Sequence, residues 1–127
     1  MKQPMRLRDE PLLDDATVII RAGAKGLADE SLLRTTKRSH DEYGWFAVSV
    51  YAVPAGGVAA LATGRDHLAR YGSIARSSAG RPRAAGFPLL PTHRDPQHYD
   101  VILADQRAPT LDRLRGCFGA AEANSAR

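Results

Sequence analysis

Two histidines bracket a polar loop in the last third of the chain. The segment PTHRDPQHYD, residues 91–100, carries His93 and His98 with Arg94 between them. A neutral imidazole can accept a proton from an attacking hydroxyl, and a second, protonated imidazole can donate one to a departing oxygen. A nearby cation can stabilise the negative charge that develops between these two steps. We therefore predict that His93, Arg94 and His98 carry general acid-base chemistry on a phosphate ester.

The same loop leaves other interpretations open. His98 and Asp100 share one face if these residues form an alternating strand, so a carboxylate could orient the imidazole and raise its pKa. His93, His98 and Asp95 could instead ligate a metal ion, but the chain offers neither a histidine pair at helical spacing nor a cysteine partner, and no metal site is predicted. The simplest alternative is that the histidines lie on a solvent-exposed hairpin loop and have no chemical role.

The segment RSSAGRPRAAGF, residues 76–87, contains three arginines and no acidic residue. A strand that ends near Arg76 and a helical turn that starts near Pro82 would leave backbone amides free at a helix amino end, where anions are favoured. Arginine guanidinium groups could then close on a phosphate in a bidentate manner. The predicted phosphate-binding residues are Arg76, Ser77, Ser78, Gly80, Arg81 and Arg83. The alternative is a surface loop whose arginines point into water.

The positive charge of the chain is concentrated around this segment. The formal net charge is +4 and the isoelectric point is about 9.6. Residues 1–64 carry eight basic and eight acidic side chains, whereas residues 65–94 carry six arginines against Asp66 alone. A localised excess of this kind favours an anionic partner, either nucleic acid or an acidic protein surface.

A third pattern pairs Arg21, at the end of VIIR, with Ser49, in FAVSV. ADP-ribosyltransferases also place an arginine on a first strand and a serine on a later one to hold the nicotinamide dinucleotide. A catalytic glutamate on a late strand is missing, because Glu122 lies in the carboxy-terminal tail. An enzyme of this type is therefore a further alternative.

Hydropathy patterning predicts the elements that must position these residues. Strands are expected at 16–21, 45–53, 73–77, 87–91 and 99–104, and helices from Asp29 or Ser31 to Gly44, from the PAGG segment to Arg70, and at 109–118. The nearly continuous apolar run at 45–53 is typical of a strand buried on both faces. His40 is expected to pack on a helix face and His67 to face solvent, so neither is assigned a role.

These elements predict an α/β or α+β fold in a single domain, with a sheet of about five strands covered by three helices. The domain is expected to span residues 16–119, after a flexible leader at 1–15 and before a frayed tail at 120–127. No apolar run is long enough to span a membrane, and the start of the chain is not a signal peptide, so we expect a cytoplasmic protein. Cys117 has no disulfide partner and is expected to be buried.

Four segments also resemble a family of small, uncharacterised actinobacterial proteins: VIIRAG, YGWFAVSV, the region from RYGSIARSSAGR to RAAGF, and LLPTHRDPQHYDVIL. The resemblance covers roughly residues 16–120 and implies no catalytic residues. The family resembles genes that occur in compact pairs, which points toward toxin–antitoxin or defence cassettes.

Together these features predict a cytoplasmic, nucleic-acid-directed protein of toxin type that binds RNA or another nucleic acid and needs no cofactor. A metal-independent ribonuclease is one protein of this kind. Two alternatives remain. One is a non-catalytic interaction module that docks an acidic protein partner such as an antitoxin. The other is the ADP-ribosyltransferase-like enzyme.

Overall fold

A computed structural model describes residues 2–23 and 25–126, which form a mixed α+β fold. The strands are β1 (Val18–Ala22), β2 (Phe46–Ala52), β3 (Ser73–Ser78), β4 (Leu89–Leu90), β5 (His98–Leu103) and β6 (Glu122–Ala123). The helices are α1 (Asp29–Tyr43), α2 (Gly57–Ala62), α3 (Asp66–Ala69), α4 (Gly80–Ala84) and α5 (Ala108–Arg115). The mixed class is confirmed. The described residues form six strands and five helices, compared with the predicted five and three.

The strands form one curled antiparallel sheet in the order β4-β5-β2-β1-β3-β6. The longest ladder joins β2 to β5 in a register that runs from Phe46 opposite Leu103 to Tyr51 opposite His98. The ladder places Ser49 directly opposite Asp100. The two strands that carry the candidate chemistry are therefore hydrogen-bonded neighbours.

The main core lies on one face of the sheet. Val48 and Val50 of β2 pack there with Val101 of β5, and α1 and α5 contribute Leu32 and Leu114, all with at most a trace of exposure. The helix α4 and the loop after it add Pro82 and Phe87 on this side. Each fully buried aliphatic side chain contributes about 1.5–3 kcal/mol relative to an exposed one, so this face supplies most of the stabilising burial.

A smaller core lies on the opposite face. Ile20 of β1 and Ile74 of β3 pack against Val58 and Leu61 of α2 and Leu68 of α3. These two short helices cover the β1–β3 side of the sheet. The β2–β5 side of the same face is lined by polar side chains instead, and it forms the floor of the groove described below.

Glycines in the left-handed region set two helix boundaries. α1 ends where the sequence predicts, because Gly44 adopts φ +87° and its N–H caps the carbonyl of His40. The predicted continuous helix up to Arg70 is wrong. It divides into α2 and α3, and Gly64 between them has φ +77°, a conformation that interrupts a helix.

Both terminal segments contact the sheet, although the sequence predicts a loose leader and a frayed tail. The backbone of Leu7 pairs with that of Thr92, and the Arg8 guanidinium donates to the carbonyls of Thr92, Pro96 and His98. At the other end, β6 pairs with β3 and the Asn124 side chain is buried. Within the described residues, no helix is both long and apolar enough to cross a bilayer.

Candidate functional site

A groove of about 880 Å³ lies beside the polar part of the sheet. Its floor is formed by β2 and β5, one wall by α1, and the opposite side by α3 and the loop between β1 and α1. This volume lies within the range of about 300–1,000 Å³ that is typical of ligand sites. The groove brings together residues that are up to 79 positions apart in the sequence, from Arg21 to Asp100.

Alternate side chains of β2 face the floor of this groove. Val48 and Val50 point into the main core, whereas Ser49 and Tyr51 alternate with them and line the groove. The prediction that this strand is buried on both faces by apolar side chains is therefore wrong. The serine and the tyrosine within the apolar run mark the face that the groove uses.

A hydrogen-bonded network connects His98, Ser49 and Asp100. Ser49 Oγ lies 3.2 Å from His98 Nε2 and 3.3 Å from Asp100 Oδ1. His98 Nδ1 lies 2.9 Å from Thr92 Oγ1 and 3.2 Å from the carbonyl oxygen of Thr92. The Thr92 carbonyl only accepts, whereas the Thr92 and Ser49 hydroxyls can each donate or accept, so these contacts fit a proton on either ring nitrogen of His98.

His98 lies beneath the groove surface and is 8% exposed. Burial lowers the pKa of its imidazole, and the Asp100 carboxylate opposes that shift only in part. Both ring nitrogens already have partners within the protein. His98 is therefore suited to positioning its neighbours rather than to direct contact with a substrate, which differs from the catalytic role predicted for it.

His93 is the accessible imidazole of this cluster, with a side chain that is 38% exposed. Its backbone adopts φ +64°, a left-handed conformation that is uncommon for a residue other than glycine. The His93 N–H donates to the carbonyl of Arg6 in the leader, which helps to hold this conformation. The ring packs between Tyr43 of α1 and His98, and its Nε2 lies 4.0 Å from Asp100 Oδ2.

Four cationic side chains line the groove: Arg21, Lys25, Arg34 and Arg38. Arg21 is half-buried and donates to the carbonyls of Gly26 and Ser49, so it ties the β1–α1 loop to β2. Burial lowers the pKa of its guanidinium, which nevertheless stays protonated in proteins. Lys25, Arg34 and Arg38 are exposed, and they give this wall a positive field.

Tyr51 and His67 form a second polar pair in the groove. Tyr51 Oη lies 3.0 Å from His67 Nε2, and the Tyr51 ring also contacts the edge of His98. Burial raises the pKa of the Tyr51 hydroxyl. His67 is exposed, as predicted, but it also lines the groove, a position that no sequence pattern indicated.

The predicted phosphate site at 76–83 has a different arrangement. The amides of Ala79 and Gly80 donate to the carbonyls of Thr17 and Asp15, so they are not free for an anion. Ser77 Oγ contacts the carbonyl of Ser78 within the same strand. The five-residue helix α4 therefore has no vacant amino end of the kind predicted.

The arginines of this segment also have protein partners. Arg76 forms an ion pair with Glu122, Arg83 contacts the Asp15 carboxylate, and Arg81 donates to the carbonyl of Cys117. Cys117 is buried in the main core, on the face opposite His98 and Asp100. The structure therefore does not bring the predicted phosphate-binding residues together with the histidines.

Two neighbours of the histidines in sequence also lie outside the groove. Arg94 is exposed and is not among the lining residues. Asp95, which the sequence offered as a metal ligand with the histidines, instead accepts two hydrogen bonds from Arg65 at 2.5 and 2.7 Å. Asp100 is instead the carboxylate that lies close to both histidines. One donor atom from each of His93, His98 and Asp100 lies within 4.8 Å of the other two.

The Arg21 and Ser49 pair does meet in space, since Arg21 Nη1 lies 3.0 Å from the Ser49 carbonyl. Glu122, the late glutamate considered with them, is on β6 beside Arg76 and is not a lining residue. The acidic residue that α1 contributes to the groove is Glu42.

Sequence reasoning missed the wall formed by α1. The signal was present as polar residues at helical spacing, Ser31, Arg34, Arg38 and Glu42, opposite the buried Leu32 and Thr36. Charge totals did not reveal this wall, because the basic and acidic residues of 1–64 are equal in number and leave no net charge in that segment.

Comparisons with known proteins add nothing to this geometry. No protein-family model, no curated protein and no solved structure matches the chain. The resemblance to small actinobacterial proteins stays a prediction, and the groove has to be interpreted from its own chemistry.

Proposed function

We propose that the groove binds single-stranded RNA and cleaves it by general acid-base catalysis that needs no metal ion. The observation that carries this proposal is the position of His93, an accessible imidazole at the floor of a groove whose wall is cationic. The proposal keeps the predicted reaction. It moves the phosphate-binding cations from the segment at 76–83 to α1 and the β1–α1 loop.

Charge and stacking surfaces in the groove suit a nucleotide. The cations Arg21, Lys25, Arg34 and Arg38 outnumber the two lining carboxylates, so the local field attracts phosphate. Tyr43 and Tyr71 offer aromatic faces at opposite sides, and Tyr71 is 45% exposed. Base stacking on such rings contributes about 1–3 kcal/mol per base and tolerates any sequence.

The proposed reaction is an internal transesterification. Neutral His93 accepts the proton of the ribose 2′-hydroxyl, and that oxygen attacks phosphorus. The bond from phosphorus to the 5′-oxygen breaks, and that oxygen takes a proton from the His67 imidazolium beside Tyr51. The products are a 2′,3′-cyclic phosphate and a 5′-hydroxyl, with the arginines stabilising the charged intermediate.

The choice of RNA over DNA follows from this mechanism. The nucleophile comes from the substrate itself, and DNA has no 2′-hydroxyl. Asp100 and the buried His98 act as positioning residues, because Asp100 contacts His93 and Ser49 and His98 packs against His93.

The test is cleavage of end-labelled single-stranded RNA in EDTA by the wild-type protein, His93→Ala and Arg94→Ala. We expect His93→Ala to reduce cleavage about 10²–10⁴-fold, the usual contribution of a general base, with RNA affinity retained. Arg94→Ala is the matched control, since the residue is adjacent in sequence but outside the groove, and it should keep wild-type activity.

Three results would contradict the proposal: full activity in His93→Ala, cleavage of DNA at the same rate, or products that lack the cyclic phosphate. Salt-dependent binding without cleavage by the wild-type protein would replace the enzyme with a binding module. Loss of activity in Arg94→Ala alone would restore Arg94 as a catalytic residue, as the sequence predicts.

The contact between Arg21 and Ser49 favours a second candidate, a transferase that uses a nicotinamide dinucleotide. The diphosphate of that ligand would suit the cationic wall, and Glu42 would have to supply the carboxylate. Selective binding to the folded state would raise the melting temperature in millimolar dinucleotide. No shift at that concentration, together with RNA cleavage, would eliminate this candidate.

A further inference from the structure

We infer that His93, His98 and Asp100 form a binding site for a divalent transition-metal ion of the Zn²⁺ type, open to the groove. The inference does not depend on RNA cleavage, because it concerns ion binding by these three side chains. It also predicts how the proposed reaction is regulated, since the same His93 nitrogen cannot hold a metal ion and accept a proton.

The donor atoms are close to the separation that one ion requires. His93 Nε2 lies 4.0 Å from Asp100 Oδ2, and the three donors all lie within 4.8 Å of one another. Nitrogen and oxygen ligands bind Zn²⁺ at about 2.0–2.2 Å in tetrahedral geometry, so two donors on one ion are about 3.3–3.6 Å apart. Side-chain rotations that bring the donors together by about 0.5–1.5 Å would therefore complete the set.

The neighbours of the donors are compatible with the protonation states that a metal ion requires. The Thr92 carbonyl can accept from a proton on His98 Nδ1, and in that tautomer Nε2 can bind a metal ion in place of its contact with Ser49 Oγ. Ser49 Oγ lies beside Asp100 Oδ1, while Oδ2 is the oxygen that faces His93. Outer contacts of this kind, a carbonyl on the histidine and a hydroxyl on the carboxylate, accompany most metal ligands.

The electrostatics of Asp100 point to a cation. Its side chain is 5% exposed, and among the described residues neither a lysine nor an arginine lies within 4.0 Å of it. Its hydrogen bond comes from the neutral Ser49. The Arg21 guanidinium interacts with this carboxylate at longer range, and a divalent ion bound directly to it would offset more of the cost of burial.

The ligand set also selects the class of metal. Two imidazoles and one carboxylate suit Zn²⁺, Co²⁺ and related ions, whereas Mg²⁺ prefers an all-oxygen shell. Because His93 lines the groove, a bound ion would keep open positions on that side for water. With His93 Nε2 coordinated, we expect Zn²⁺ to inhibit the proposed cleavage.

The test is titration of the EDTA-treated and dialysed full-length protein with Zn²⁺ by calorimetry, and with Co²⁺ by visible absorption. We expect one ion per chain, no binding of Mg²⁺, and at least about tenfold weaker Zn²⁺ binding in both His93→Ala and Asp100→Asn. The control is His67→Ala, which removes a groove histidine that is not a ligand and should retain wild-type affinity. Circular dichroism checks that each variant is folded, and Asp100→Asn keeps the size of the side chain.

The inference is overturned if the wild-type protein binds neither Zn²⁺ nor Co²⁺, or if both ligand variants bind Zn²⁺ as tightly as the wild type. Its failure is distinguishable from that of the proposed function. Cleavage in EDTA tests the reaction without the ion, and the calorimetric titration tests the ion without RNA.

Discussion

Neutralising two arginines of α1 should flatten the salt dependence of RNA binding. Arg21 is committed to the carbonyls of Gly26 and Ser49, which leaves Lys25, Arg34 and Arg38 as the exposed cations of the groove. Each phosphate contact on a single strand contributes about 0.7 to the slope of log K against log salt, so three contacts predict a slope of about −2.

The slope expected for the double variant Arg34→Gln/Arg38→Gln follows from the number of phosphate contacts that it loses. Loss of two contacts should leave a slope of about −0.7, so a rise from about 50 to 200 mM salt would weaken binding about threefold rather than about eighteenfold. The assay is fluorescence anisotropy with a labelled single-stranded RNA across a salt series, in EDTA.

The matched control is Arg70→Gln/Arg94→Gln, which removes the same charge from exposed positions outside the groove. This variant should retain the wild-type slope. A wild-type slope in the Arg34/Arg38 variant combined with a flattened slope in the control would refute the groove as the phosphate site. It would support the basic segment at 65–94 instead.

Three further predictions concern stability. Arg8→Met removes charged hydrogen bonds to three carbonyls of the 92–98 loop and should cost about 1–3 kcal/mol in urea unfolding; an unchanged midpoint would contradict this role for the leader. The Arg65 guanidinium lowers the pKa of the Asp95 carboxyl in the folded protein. Asp95→Asn should therefore lower the free energy of unfolding in full at pH 7. This loss should shrink as the pH falls below about 4 and through the lowered pKa of Asp95 in the folded state. Melting curves at pH 7 and pH 3 measure that difference, and a deficit equal at both would be inconsistent with the ion pair. Leu114→Ala should cost about 2–5 kcal/mol, because its fully buried side chain would leave a cavity in the main core; a loss below about 1 kcal/mol would place Leu114 outside it.

Local patterns in the sequence were sufficient for most of the elements. α1 ends at Gly44 as predicted, since a left-handed glycine cap depends on neighbouring residues alone. The strand predicted at 99–104 is observed as β5, one residue earlier, because alternation and β-branched residues also act locally. The pairing of β6 with β3 was not predictable in this way, since a two-residue strand has no pattern of its own.

The cationic surface shows where local reasoning fails. The arginines at 65–94 form a cluster along the chain, but Arg65, Arg76 and Arg83 pair with Asp95, Glu122 and Asp15 in space. Net charge within a window counts acidic residues that are near in sequence, whereas electrostatic compensation depends on distance. For the same reason, the sequence total did not indicate Arg34 and Arg38. Acidic residues of the same segment cancel their charges in the total, although the two arginines lie together in one groove.

The sequence by itself determined which chemical groups are available near the candidate site: two imidazoles and two carboxylates within the eight residues from His93 to Asp100. Tertiary structure decided how those groups can act. The register of β2 against β5 places Ser49 opposite Asp100, the leader helps to hold His93 at the groove, and burial encloses His98. The exposure of these side chains, their protonation and their hydrogen-bond partners depend on which distant segments of the chain pack together. Packing is a property of the folded chain as a whole.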